Sequence, residues 1–213
     1  MGEKKLLIFS LILIIGGLLY KKPFFSTVSY GEGIIAPEEP KQSETFQQAF
    51  SYNNIIITPL ASLELEAKVL SRENYSFDTF SIISPTDLAL GWGPMSDEGI
   101  LKNIEIDQTG RWLSLKRGNA LISNELMQKK SANMHIIPAN EHIKKQLSKV
   151  KKGELVYLKG FLVKLEKEHE WTARSSLSRD DTGNGACEIV WVENLERRYP
   201  SDIVFYQYAP LEN

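Results

Sequence analysis

The sequence predicts an α+β domain dominated by antiparallel strands, set behind one N-terminal apolar helix, and three observations carry that reading. Residues 6–20 read LLIFSLILIIGGLLY, with Ser10 the only polar side chain. Residues 63–69 (LELEAKV) alternate apolar and charged side chains, the pattern of a half-buried antiparallel strand. The clearest helix signature, residues 140–152, lies between groups of strands with no regular βαβ alternation. That arrangement favours an antiparallel α+β or barrel-like domain over a doubly wound one.

The chain has 213 residues, 42% hydrophobic and 24% charged, which is ordinary globular composition and enough to bury a core. Charge is unevenly spread. Lys4, Lys5, Lys21 and Lys22 against Glu3 give residues 1–22 a charge of +3; the whole chain is −2, so the remainder carries −5. A mildly acidic domain argues against a nucleic-acid partner, whose binding rests on neutralising phosphates. Cys187 is the one cysteine, so no intramolecular disulfide forms and the compartment stays open.

Taken in order, the apolar segment comes first. As a helix it rises about 22 Å against a hydrocarbon core of about 30 Å. Flanking lysines that snorkel, with Phe24, Phe25 and Tyr30 at the interface, extend its reach. A cleaved signal peptide is the rival. Its site would need Thr27 and Ser29, which two lysines and Pro23 separate from the apolar run. The expectation is an uncleaved membrane anchor over residues 1–25, single-pass in a bacterial inner membrane. A short basic tail that stays inside would put the soluble domain in the periplasm.

Residues 26–45, rich in Gly, Pro, Ser and Glu, read as a linker, and residues 46–213 as the soluble domain. A short helix is expected at residues 46–52 from the spacing of Phe46, Ala49 and Phe50. Strands are expected at residues 54–58, 63–69 and 79–83. Residues 84–100 are dense in turn-formers, with one short helix capped at Ser96. Short strands follow at 104–106 and 111–115. In the helix over 140–152, Asn140 is the cap, Ile143, Leu147 and Val150 form one stripe, and Gly153 is the stop. Residues 154–165 form a long strand with a bend or bulge at Gly160. Residues 171–178 pair with 187–193 across the turn at 181–185. The stretch 153–195 is compatible with a small Greek-key barrel of the OB type.

No candidate site reaches the strength of a fingerprint. Cys187 and His135 are the residue types of a thiol nucleophile and its base, with Asp180, Asp181 or Asn133 to orient the imidazole. The alternative is a cysteine that is a small hydrophobe on a strand's apolar face, beside Ile189 and Trp191. His135, His142 and His169 lack the tight pairing of zinc ligands, so neither a metal nor a cofactor is expected. Arg179, Asp180, Asp181 and Asn184 sit in an acid- and glycine-rich run without calcium-loop spacing. It reads as a hairpin turn or as a rim for a polar ligand. Trp92, between Gly91 and Gly93, is either an exposed anchor or a core tryptophan in a tight loop. Lys144, Lys145, Lys149, Lys151 and Lys152 form either a solvated helix face or a contact for anionic headgroups.

The segments GWGPMSD, SANMHIIPA and SSLSRDDTGNGACEIVWVE resemble a family of uncharacterised bacterial membrane-anchored proteins. The resemblance covers most of the chain after about residue 46. It implies a bacterial membrane location and assigns no catalytic residues.

The sequence therefore leads to a non-enzymatic envelope protein that binds a partner protein or envelope polymer. The expected surface is Trp92, His135, Arg179, Asp180, Asp181 and Asn184. One alternative is a thiol-dependent or hydrolytic envelope enzyme using Cys187 and His135. A second is a cytoplasm-facing, tethered OB-like module that touches nucleic acid.

Overall fold

The computed structural model describes residues 27–119, 121–168, 170–178 and 187–200. Strand β3 (Ile55–Asn74) organises the domain. Its side chains at Leu63, Leu65, Ala67 and Val69 point into the core while Glu64 and Glu66 face outward, the alternation that the sequence shows. β3 pairs with β4 (Thr86–Gly91), and β4 with β7 (Ser131–Pro138). β7 lies parallel to β10 (Glu188–Arg198), which pairs with β8 (Leu155–Lys167), and β8 returns to β3. The five strands thus close on themselves, leaving no edge within the ring. Apart from the β7–β10 pair, every contact in the ring is antiparallel.

Two bulges, between Pro59 and Ala61 and between Val69 and Ser71, bend β3 so that one strand borders two partners. Gly160 on β8 supplies a third local requirement. A Cβ there would lie 1.9 Å from the Trp191 carbonyl, beside the β10 register shift between Val192 and Asn194. Short strands extend the sheet: β1 (Lys41–Ser43) and β2 (Phe50–Tyr52) on β3, and β9 (Trp171–Arg174) on β8.

One end of the barrel is closed by α3 (Glu141–Leu147). The Asn140 carboxamide accepts from the Ile143 N–H at 3.0 Å, and Ile143, Leu147 and Val150 drop into the core. The helix ends earlier than its apolar stripe suggests. After Leu147 the chain tightens through bonds from Lys149 N to Gln146 O and Val150 N to Leu147 O, then reverses at Gly153 with φ +89°. The insertion between β4 and β7 carries α1 (Glu98–Leu101), the hairpin β5 (Ile104–Thr109) and β6 (Trp112–Arg117), and α2 (Asn124–Lys129). It packs Met95, Ile100, Ile104, Ile122 and Met127 on Leu70 of β3 and Ala89 of β4.

Several expectations are corrected. Residues 50–52 form β2 rather than part of a helix, and Thr79–Ile82 is a 3-10 turn capped by Asp78 rather than a strand. The small helix near Ser96 is α1, capped by Asp97. β9 pairs with β8, not with β10; residues 175–176 meet the start of β10 through the bonds Ser176 N to Cys187 O and Ile189 N to Ser175 Oγ. Part of the expected linker is a packed strap. Ile34, Ile35 and Ala36 are buried, and their stretch is held by Asp97 on Gly33 N and by Ser96 Oγ on Ile35 N and Ala36 N. Among the described residues no helix is long and apolar enough to cross a membrane; the expected anchor, residues 1–25, lies outside them.

Candidate functional site

Asp87 on β4 and His135 on β7 stand directly opposite each other, and on the far side His135 is registered with Ile189 of β10. Their side chains leave the barrel on its outer face, where the insertion and the turn at residues 78–84 cover them. Asp87 is fully buried and His135 is 7% exposed. His135 Nδ1 lies 2.9 Å from Asp87 Oδ2, with the carboxylate oxygen off the ring N–H axis, so the contact is an ion pair rather than a straight hydrogen bond. The Cys187 thiol is the imidazole's other titratable neighbour and acts on its charge.

Arg111 anchors the carboxylate from the other side. It sits at the tip of the β5–β6 hairpin, where Gly110 (φ +59°) and Arg111 (φ +70°) form a two-residue turn with both residues left-handed. A left-handed arginine is uncommon and costs of order 1 kcal/mol or more. Its backbone is clamped in compensation: its N–H donates to the Tyr75 hydroxyl at 2.8 Å, and its carbonyl accepts from Asn133 Nδ2 at 2.8 Å. The guanidinium lies 4.0 Å from the Tyr75 ring centroid and 4.9 Å from that of Phe80. It reaches Asp87 Oδ1 at 3.0 Å, both oxygens of Asp78 at 2.9 and 3.1 Å, and the Ser84 carbonyl at 3.1 Å.

This arrangement sets the charges. Burial pushes His135 toward the neutral form, but the Asp87 carboxylate and the Cys187 thiol outweigh it, and the imidazole's pKa is raised to about 9. Burial pushes the Tyr75 phenol up to about 12, helped by the Asp87 charge. At Asp78 burial acts upward, but the Arg111 hydrogen bonds prevail and hold the carboxyl below its ordinary range. At neutral pH, Asp78, Asp87, Arg111 and the His135 imidazolium therefore balance. Cys187, half-buried, stands at the end of that row.

Hydrogen bonds hold the chain around Cys187. Ser175 Oγ accepts from Ile189 N at 3.1 Å and donates to Ser176 O at 2.9 Å, while Ser176 N donates to Cys187 O at 3.1 Å. The predicted residues thus divide. Cys187 and His135 come together, with Asp87 as the orienting carboxylate. Asn133, considered for that role, instead holds Arg111 and accepts from Gln108 Nε2 at 2.7 Å. Asp180 and Asp181, also considered, lie outside the described residues, as do Arg179 and Asn184.

Trp92 is not an exposed anchor. It is fully buried in the main core, its N–H bonded to Lys130 O and its indole Nε1 donating to Glu39 Oε2 at 2.8 Å. Gly91 serves close packing, since a Cβ there would lie 2.5 Å from the Met95 carbonyl, whereas Gly93 takes the left-handed φ of +51°. Sequence reasoning missed Asp87 and Arg111. Asp87 lies in a run taken for turns, and Arg111 in a segment taken for plain strand.

Among the described residues no group of three or more His, Cys, Asp or Glu side chains is arranged to hold a metal. A cavity of about 440 Å³ at the α3 end is lined by Tyr30, His142, Glu154, Arg197 and Arg198 among others, and shares no residue with the Cys187 site. Compared with protein-family models, curated proteins and solved structures, the chain matches none.

Proposed function

We propose that this is a membrane-tethered, thiol-dependent acyl-transfer or hydrolytic enzyme of the bacterial envelope. In this reading Cys187 is the nucleophile, His135 its proton partner and Asp87 the orienting carboxylate. The observation that carries it is the row Asp87–His135–Cys187, drawn from β4, β7 and the residue just before β10, and fixed from behind by Arg111. A nucleophile, a base beside it and a third group orienting the base are the parts that acyl-transfer chemistry needs.

The steps follow from those roles. The sulfur attacks the carbonyl carbon of an ester or thioester, the imidazolium gives its proton to the departing alcohol or thiol, and an acyl-Cys187 thioester remains. Water, deprotonated by the now neutral His135, cleaves it, releasing the acid and restoring the thiol–imidazole pair. Only bond exchange and proton transfer are involved, so the site needs no oxidant or reductant.

The tether is the apolar segment at residues 6–20, and the basic tail before it favours a periplasmic domain. The barrel's strand order, its parallel β7–β10 pair and a helix closing one end between β7 and β8 support the OB-type Greek-key reading, now drawn from β3 to β10 rather than from residues 153–195 alone. In such barrels the outer face of the second and third strands takes oligonucleotides; here β4 and β7 carry the insertion on that face. This weighs against the nucleic-acid alternative. The exposed Phe77, Ile82 and Trp112, beside Asp78 and Arg111, favour a second reading in which this end binds a partner protein or envelope polymer without chemistry.

The deciding experiment treats the full-length chain with p-nitrophenyl acetate. The enzymatic reading expects a burst of about one nitrophenolate per chain, an acetyl group on Cys187 by mass spectrometry, and loss of both in Cys187→Ser. Acetylation confined to lysines would leave the binding reading in its place.

A further inference from the structure

The two ends of the barrel differ, and the end opposite Cys187 is basic. α3 and the turn after it carry Lys144, Lys145, Lys149, Lys151 and Lys152 within nine residues. All except the half-buried Lys151 are exposed. Lys144 is paired, with Glu141 at 3.3 Å; Lys145, Lys149, Lys151 and Lys152 have no carboxylate partner among the described residues. The nearby acids are already engaged: Glu154 takes Arg197 and the Lys151 N–H, Glu98 takes Lys68, and Glu196 takes Arg198.

The chain enters the domain at this same corner. Val28 N donates to Lys152 O at 2.9 Å, and a Cβ on Gly153 would lie 1.9 Å from the Val28 carbonyl, so the strap is seated directly on the lysine turn. In sequence, Lys22 closes the apolar segment six residues before Val28. Six residues span at most about 20 Å. If residues 6–20 anchor the chain, the lysine corner is leashed within that distance of the headgroups. From Arg198, at this end of β10, back to Ile189 beside His135 is nine residues, roughly 30 Å along the strand.

We propose that this lysine-bearing underside docks on anionic lipid headgroups, so that the domain stands on the bilayer with the Cys187 end turned away from it. The inference rests on the membrane-anchor reading and is independent of the chemistry at Cys187. Lysines near an anionic leaflet each strengthen attraction about fivefold, and the effect decays within a Debye length of about 8 Å at physiological salt. A leash of about 20 Å permits such contact without enforcing it, so the lysines decide whether the domain lies down or floats.

The test reconstitutes the full-length chain in nanodiscs of phosphatidylcholine alone or with one third phosphatidylglycerol. Acetylation by a water-soluble N-hydroxysuccinimide ester is then followed at each lysine by mass spectrometry. Lys145, Lys149 and Lys152 should react at least about fivefold more slowly in the anionic discs, recovering in high salt, while Lys116 and Lys129 on the insertion should not change. In a triple variant with Lys145, Lys149 and Lys152 changed to Gln, the protection of Lys144 and Lys151 should disappear. Equal reactivity in both kinds of disc would overturn the docking. A chain that fails to co-purify with discs would overturn the anchor and the docking together, while leaving the burst at Cys187 untouched.

Discussion

Asp87→Asn is the change whose consequences the structure sets most tightly. It removes the charge that holds the His135 imidazolium while leaving Arg111 with Asp78 and the Ser84 carbonyl. In the wild type the imidazole's pKa is about 9 against an ordinary value of 6.5. At about 1.4 kcal/mol per unit, protonation of His135 contributes roughly 3 kcal/mol to stability. The folded pKa is raised, so this contribution is fully present below about pH 6.5 and is lost as pH climbs through about 9. Losing one charge-assisted bond to Arg111 adds about 1–2 kcal/mol at any pH. Urea unfolding followed by tryptophan fluorescence at pH 6 and pH 9.5 should give a deficit for Asp87→Asn of about 4–5 kcal/mol at the lower pH, shrinking to about 1–2 at the higher. A deficit of the same size at both would refute the charged His135–Asp87 pair, as would a His135 ring resonance that titrates near 6.5 in the wild type.

The rest of the molecule allows similar checks. Glu98 accepts from Lys68 Nζ, Ser29 Oγ and Tyr30 N, and although burial acts upward on its carboxyl these bonds hold it below the ordinary range. Glu98→Gln should therefore cost about 3 kcal/mol at neutral pH by stranding the buried Lys68, and speed limited proteolysis near residue 40. Because that pKa is depressed, the difference from wild type should fade as pH drops below about 4.5. Trp92→Ala should cost about 3–5 kcal/mol in urea unfolding, the range for emptying a fully buried tryptophan site. Gly160→Ala should cost about 1–3 kcal/mol or more, because its Cβ meets the Trp191 backbone rather than a side chain that can swing aside.

The sequence spoke clearly where burial is one-sided. Residues 63–69 alternate because one face of β3 meets the core and the other meets water, and Asn140 and the stripe at Ile143 and Leu147 marked α3 for the same reason. It was silent where both faces are covered. β4 (TDLALG) and β7 (SANMHIIP) are buried along their whole lengths, between the barrel core and the insertion, so neither shows a period of two. Those two strands carry Asp87 and His135, and for that reason the orienting carboxylate escaped notice. Arg111 was hidden differently: its left-handed turn becomes recognisable only once Tyr75 and Asn133, 36 and 22 residues away in the chain, are seen to clamp it. The strap at residues 28–36 looked like a linker because Gly31, Gly33 and the prolines that follow at 37 and 40 conceal that Ile34 and Ile35 are seated in the domain.

The central claim is that Cys187 owes its reactivity to the row behind it. The most direct measurement is the rate at which iodoacetamide alkylates Cys187 at pH 6.5, in the wild type and in His135→Gln, with folding of each checked by circular dichroism. If the imidazolium activates the sulfur, the variant should react at least about tenfold more slowly. Equal rates in two folded proteins would reduce Cys187 to a half-buried apolar side chain and leave the barrel as a binding module.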